Sequence, residues 1–575
     1  MDSYIDIAQR KQVHLAAQIP PEWRLSPAQI PAGMLSPAES VTDVQSYGRV
    51  NVMDVPRTCG LLSSHELEIT EKYDIRGLVG EIAGGKLTCE EVVGAFCKRA
   101  SVAHQLTRCL TEPLFDRALT RAQHLDAHLR RTGTPIGPLH GLPVTLKDTF
   151  NITGIDSSLG LAALAFQPAT ADAPLVTLLE SLGAIIIAKT SVPQTMGALD
   201  TANHLFGRTL NPLNRQLTVG GSTGGEAALL ALRGSMAGFG SDIGGSIRIP
   251  AMCTGIYGFK PSVGRVPFGG QQMGQPAGKD RISLQTVAGP LARSVADLDA
   301  LMREIVPRAE LFAEDCIPGV WPSPSPSPHP SGQKKFKIGI LRSDGIVAPL
   351  PPIARVVDEV ATALRRTPGV EVVEVPVPKA LTRCQAVAGR LMGIDGGNTM
   401  MDILERTGEP LIPWLQKRMK RGKPLSVAQL AELQAQRGVL ERELHRSLWE
   451  VGQAGEGRID ALIHPVAPHP VPQLDRYNAV GYTSSWVLLD YPAGSVPVRR
   501  FGEADLEGEV AGPVGGSWDK ANRGLWDEKT VDRRVYLDSP LSVQVITPRQ
   551  HDYELMRAME IVDQAVHVEG RETKL

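Results

Sequence analysis

Two apolar patterns alternate along this chain. Residues 5–18 space their apolar positions as a helix does, and a Pro-, Ser- and Asp-rich stretch follows; residues 1–65 read as an arm wrapping the body. Thr88, with Glu91 three residues on, predicts a capping box that opens an amphipathic helix over 88–104, and a second helix is predicted over 115–131. The pattern then shortens. Residues 140–146 form a brief apolar run ending at Lys147-Asp148, a helix is expected over 173–182, and the continuous apolar run 183–189 has the length of a fully buried strand. Within the glycine-rich stretch 219–264 the reading is helix 226–233, strand 236–240, a tight turn and strand 255–260. Ser294 is placed to cap a helix reaching residue 305. Beyond it come strand 336–341, helix 353–366 and strand 371–375. Strands alternating with helices predict an α/β sheet.

Two stretches break the pattern. Residues 318–332, with proline at alternate positions, suit extended solvated chain and read as a surface insertion. Residues 502–528, rich in Gly and Asp, read as a long surface loop. The rest, 66–575, reads as one large domain.

Composition narrows the function classes. The chain is 42% hydrophobic and carries a formal net charge of −2, which gives no sign of a nucleic-acid or anionic-membrane surface. Its seven cysteines are odd in number and scattered without a CxxC pair, so they are expected to be reduced and mostly buried. No His/Cys/Asp cluster has metal-ligand spacing, so neither metal nor organic cofactor is expected. No run is long enough for a membrane span and the N-terminus lacks a secretory apolar region, so a cytoplasmic location is expected. Thr573-Lys574-Leu575 is similar to a peroxisomal address, with threonine departing from it. A homodimer stays open.

Three short segments carry candidate chemistry. In Gly244-Gly245-Ser246, two bare glycines leave backbone N–H groups that can converge on an oxyanion, with a serine placed to attack the carbonyl so held; a tight turn with a capping serine is the commoner reading of these residues alone. Gly220-Gly221-Ser222-Thr223-Gly224-Gly225 precedes an Ala/Leu helix, where serine commonly serves as an N-cap. Lys147, at a strand end, is unremarkable if exposed; if buried, desolvation can make it a neutral base.

Together these segments resemble the amidase signature family, in its fungal acetamidase-like and fatty-acid-amide-hydrolase-like branch. The resemblance rests on PLHGLPVTLKD, IIAKTSVPQ and the block from Gly220 to Pro267, is strongest over about 70–310, and continues in DALIHPVAPHP and GYTSSWVLLDYPAGSVPV. Glu226, directly after the glycine-rich turn, is a further feature of that branch. The resemblance implies a single α/β/α layered domain around a mixed sheet, preceded by the N-terminal helical arm. It implies hydrolysis of carboxylic amides to acid plus ammonia or amine, with a small-molecule amide as substrate. By position, Ser246 would be the acylated nucleophile, Ser222 (after a cis peptide bond) the proton shuttle and Lys147 the neutral base. The N–H groups of Ile243, Gly244, Gly245 and Ser246 would form the oxyanion hole, and Met196 would line the substrate site. Asp242, Arg248 and Thr223 would hold these groups by hydrogen bonds.

Other readings compete. Gly220 to Gly224 fits the GxSxG nucleophile elbow of a serine esterase of the α/β-hydrolase type, which needs a strand directly before it and a later Asp/Glu and His; His464, His469 or His551 would have to serve, and the first two sit among prolines. Gly183 to Thr190 nearly matches a P-loop, with Ala188 in place of a required glycine, and Gly238-x-Gly240-x3-Gly244 is a partial dinucleotide loop. An amidotransferase-type glutaminase subunit is the third alternative.

Overall fold

The computed structural model describes residues 2–32, 34, 48–276, 278–322, 335–450 and 458–567. Most of the Pro/Ser-rich stretch 318–332 and the C-terminal Thr573-Lys574-Leu575 lie outside these residues, as does part of the predicted arm. Among the described residues eleven strands join in one sheet: β1 (Leu110–Pro113), β2 (Pro143–Lys147), β3 (Ile185–Thr190), β4 (Ala237–Asp242), β5 (Tyr257–Lys260), β6 (Val287–Ala292), β7 (Phe336–Ile340), β8 (Val370–Glu374), β9 (Ala461–Pro465), β10 (Ala493–Arg500) and β11 (Pro540–Ile546). Their spatial order is β1-β3-β2-β4-β6-β5-β10-β11-β9-β7-β8. The pairs β2/β3 and β2/β4 run parallel, while β4/β6 and β10/β11 run antiparallel, so the sheet is mixed. Helices cover both of its faces. This is the α/β/α layered class that the resemblance implies, built on the α/β sheet expected from the alternation.

Local signals hold where the sequence carries them. Thr88 Oγ1 accepts from Glu91 N–H at 3.1 Å while the Glu91 carboxylate accepts from Thr88 N–H at 2.9 Å, and the helix Cys89–Thr107 follows. Ser294 Oγ accepts from Asp297 N–H at 3.0 Å to start Val295–Ile305. β3 is buried along its whole length, as its apolar run requires. It nevertheless includes Lys189, whose ammonium donates to Asp156 O and to Ser157 Oγ at 2.6 Å. A buried cation persists only with such partners.

Other elements depart from the pattern. The tight turn expected between β4 and β5 contains a helix, Arg248–Thr254, and the strand β6 has no counterpart in the sequence reading. The stretch 502–528 is only partly the surface loop expected. It holds the short helices Glu503–Leu506 and Ser517–Arg523, and Trp526 is buried against Tyr536. Arg499, donating to both oxygens of Asp505, and the large apolar area of Trp526 tie this segment down.

The N-terminal helix Tyr4–Ala17, capped by Ser3, docks through a buried charge. Lys11 is 2% exposed and sits between Glu112 at the end of β1 and Asp156, 2.6 Å from the latter. Removing one member of a buried pair leaves the others uncompensated and costs about 3–5 kcal/mol. Lys11→Met is therefore expected to lower the unfolding free energy of the full chain, read by denaturant titration, by that order, and an unchanged value would show that the helix docks by other means.

Candidate active site

Lys147 is the last residue of β2, paired in register with Thr190 of β3, and the parallel neighbour β4 carries the turn that follows Asp242. The lysine is fully buried. Its Nζ donates to Ser222 Oγ at 2.7 Å, to Ser241 Oγ at 2.9 Å and to Ser241 O at 3.4 Å. Burial lowers its pKa to about 7, although Asp242, Glu226 and Asp148 pull the other way. A substantial neutral fraction near pH 7 follows.

Ser222 follows a cis peptide bond from Gly221 and is 2% exposed. A side chain at Gly221 would stand 2.6 Å from Ala198 O, so the chain can pass here only as glycine. Thr223 N–H donates to Ser246 O at 3.2 Å, which ties the two serine-bearing turns together. Thr223 Oγ1 itself is buried without a hydrogen-bond partner among the described residues.

Ser246 closes the turn after β4. Gly245 has φ +126°, and a Cβ there would stand 2.5 Å from Thr483 Oγ1. Asp242 organises the turn from behind: Oδ1 accepts from Gly245 N–H at 2.7 Å and Oδ2 from Ile247 N–H at 3.1 Å. Arg248, fully buried, grips the same carboxylate through Nε at 3.1 Å and Nη2 at 3.0 Å, and reaches Gln544 Oε1 at 2.9 Å. Burial would raise the Asp242 pKa, but Arg248 and these N–H donors outweigh it and keep the carboxylate ionised. The Gly245 N–H is thus already engaged by Asp242. Those of Ile243, Gly244 and Ser246 have no acceptor within the chain among the described residues. Thr483 Oγ1 donates to Gly244 O and so orients the peptide that carries the Gly245 N–H.

Ser222, Ser246, Ser241, Ile243 and Met196 line one cavity of about 330 Å³, together with Met392, Met400 and Met419. Lys147 sits behind its wall, reached through Ser222 and Ser241. Ser241 and Thr483 are missing from the sequence reading, and so is any structural part for Glu226. Glu226 is fully buried, its two oxygens hydrogen-bonded to the hydroxyls of Thr145 at 2.6 Å and Thr190 at 3.0 Å. Burial raises its pKa to about 8, against the pull of these hydroxyls and of Lys147. A Cβ on Gly238 would meet its carboxylate at 2.1 Å. An acid within an Ala/Leu helix facing a strand glycine is the signal that could have found it.

Two of the competing readings, the esterase elbow served by His464 or His469 and the P-loop, lose their structural basis. Gly220 to Gly224 lies in a loop that leads into the helix Gly224–Ala231, with no strand directly before it among the described residues. His464 packs against Tyr482 and Trp486, His469 Nδ1 bonds Pro470 O at 2.8 Å, and neither lines the cavity. The near-P-loop stretch is β3, inside the sheet. Among the described residues no helix is long and apolar enough to cross a membrane.

The family match and the named relatives place the molecule among hydrolases that act on amides. The chain belongs to the amidase family, whose profile, described as Amidase, matches residues 91–556. It is 32% identical to an acetamidase of Emericella nidulans over 572 residues, covering 97% of this chain and 98% of that protein. It is 34% identical to an amidase of Gibberella moniliformis over 542 residues, covering 93% and 96%. A fatty acid amide hydrolase superposes with a TM-score of 0.82 at 27% identity, covering 97% of this chain and 95% of that one.

Proposed function

We propose that the protein hydrolyses carboxylic amides to acid plus ammonia or amine through an acyl-enzyme on Ser246, with Ser222 and Lys147 as its proton relay. The observation that carries this reading is the 2.7 Å hydrogen bond from a fully buried Lys147 to Ser222, beside a second serine lining the same cavity. Serine is a weak nucleophile at its own pKa and needs a base within reach. In the forward step Ser246 Oγ bonds to the carbonyl carbon, and its proton passes by way of Ser222 to neutral Lys147. The carbonyl oxygen becomes an oxyanion facing the N–H groups of Ile243, Gly244 and Ser246, with Gly245 N–H shared between it and Asp242. As the C–N bond breaks, the relay returns the proton to the departing nitrogen, and ammonia or amine leaves. Water then attacks the acyl-enzyme, gives one proton to the same relay and releases the acid, restoring Ser246. No metal or organic cofactor enters these steps.

Met196 and the neighbouring methionines would take the acyl group. Their flexible thioethers adapt to varied apolar shapes, and the 330 Å³ space exceeds what an acetyl group needs. The relatives include acetamidases as well as a fatty acid amide hydrolase, so acyl size is the informative variable. A series of primary amides from acetyl through butyryl and hexanoyl to benzoyl, read by ammonia released by the purified chain, is expected to favour the larger acyl groups in kcat/KM. A best substrate at acetyl would reverse the size reading, and no turnover of any amide would overturn the function.

A further inference from the structure

The net charge of −2 conceals a strong local excess. At the end of the sheet opposite Lys147 and Asp242 lies a cavity of about 870 Å³. Arg57, Arg99, Arg233, Arg293, Arg500 and His567 all line it. They arrive from separate parts of the chain. Arg233 precedes β4, Arg293 directly follows β6, Arg500 ends β10, and Arg99 comes from the helix Cys89–Thr107. β4 carries Asp242 and the Ser246 turn at its other end, so its six residues set the two cavities about 20 Å apart.

Within the lining itself five arginines and His567 face only two acids, Asp54 and Asp538. Asp54 is mostly exposed and 3.9 Å from Arg57, and Asp538 is held at 3.0 Å by Arg49. In the wall behind, Glu71 serves both Arg57 and Arg99, and Asp297 is engaged by Ile75 N–H and the Ser294 hydroxyl. Burial lowers Arg293 to about 10, and Arg233 and Arg99 push it the same way while Asp297 opposes them. Burial likewise depresses Arg233 and Arg99.

Donors are left over as well. Arg233 uses one N–H group, on Glu71 O at 3.2 Å, and the Arg500 guanidinium has no hydrogen-bond partner among the described residues. His567 turns Nδ1 to Asp563 at 2.9 Å, while its Nε2 is buried without a partner among the described residues. Guanidinium forks match phosphate oxygens two at a time, and a concave low-dielectric site strengthens their common field. We infer that this cavity is a second ligand site, for a small phosphorylated molecule carrying more than one negative charge. Its volume lies in the range of metabolite sites and exceeds what a single phosphate would fill. The inference does not depend on the amide chemistry at the other end of the sheet.

The test is calorimetric titration of the full-length protein with inorganic pyrophosphate, tripolyphosphate and citrate at one ionic strength. Saturable one-to-one binding of the phosphates is expected, weakened about tenfold or more in Arg233→Gln/Arg500→Gln and unchanged in Arg365→Gln, a surface arginine paired with Glu374. Equal binding of citrate would reassign the site to polycarboxylates and overturn the phosphate class. No saturable binding, or equal loss in Arg365→Gln, would overturn the site. Wild-type protein supplies a readout free of folding effects: pyrophosphate should protect Arg233 and Arg500 from phenylglyoxal, read by peptide mass spectrometry. Unprotected labelling at both would also sink the proposal.

Discussion

Replacing Ser246 by alanine is expected to lower amide turnover by on the order of 10⁴-fold or more, because the only atom that would bond to the acyl carbon is gone. The surrounding turn should survive. It is held by the Asp242 carboxylate, by Arg248 and by Thr483, none of which contacts the Ser246 hydroxyl. The effect should therefore appear in kcat with little change in melting temperature. A fluorophosphonate should add one label to the wild-type chain, located to Ser246 by peptide mass spectrometry, and none to Ser246→Ala. Ser222→Ala should still be labelled at Ser246, more slowly, because the nucleophile is present and only its route to the base is cut. A label on Ser222, with Ser246→Ala active, would exchange the two serine roles.

Replacing Lys147 by alanine should slow amide hydrolysis more than hydrolysis of the ester with the same acyl group. In the proposed relay Lys147 would have two tasks: removing the Ser246 proton by way of Ser222 and returning it to the leaving nitrogen. An alkoxide leaves far more readily than an amide anion, so the ester needs the second task much less. General acid–base groups are worth about 10²–10⁴-fold, and the amide should show the upper part of that range. Wild-type pH dependence supplies a second readout. In that relay the neutral amine would be the base, and burial lowers its pKa to about 7, so kcat/KM for amides should climb as pH rises to about 7 and then level. In Lys147→Ala that inflection should vanish. Equal losses on amide and ester would remove the leaving-group role, and a lysine with an ordinary pKa would place the inflection near pH 10.

The pH dependence rests on Lys147 being desolvated, and its surroundings show how closely the region is balanced. Three acids lie near enough to favour its charged form, yet burial dominates. One of them, Asp242, is committed to Arg248 and to two backbone N–H groups, and another, Glu226, is itself pushed towards its neutral form. The region thereby limits the negative field on the lysine while keeping a rigid carboxylate under the Ser246 turn.

Much of this was legible along the chain because it depends on neighbours in sequence. Capping at Thr88 and Ser294 needs only residues three apart, and the apolar run of β3 has no other stable place than a sheet interior. The two glycine-serine turns were visible because bare backbone is a property of the residues themselves. Other features require residues far apart to meet. Whether Lys147 was an exposed strand end or a buried base depended on β3, β4 and the Ser222 turn closing around it. That Asp242 draws off one of four expected oxyanion donors follows from a carboxylate swinging under its own turn, pinned by Arg248 and Gln544 from β11. The helix Arg248–Thr254 was hidden by its glycine-rich flanks, and the burial of 502–528 by a composition that resembles loop. The arginine cavity was illegible for the same reason: its cations are separated by up to several hundred residues, cancel in the net charge, and converge only where the strands end. Periodicity and backbone chemistry are local and can be read from sequence; desolvation and electrostatic focusing depend on which distant groups share a low-dielectric space, and the tertiary structure alone decides that.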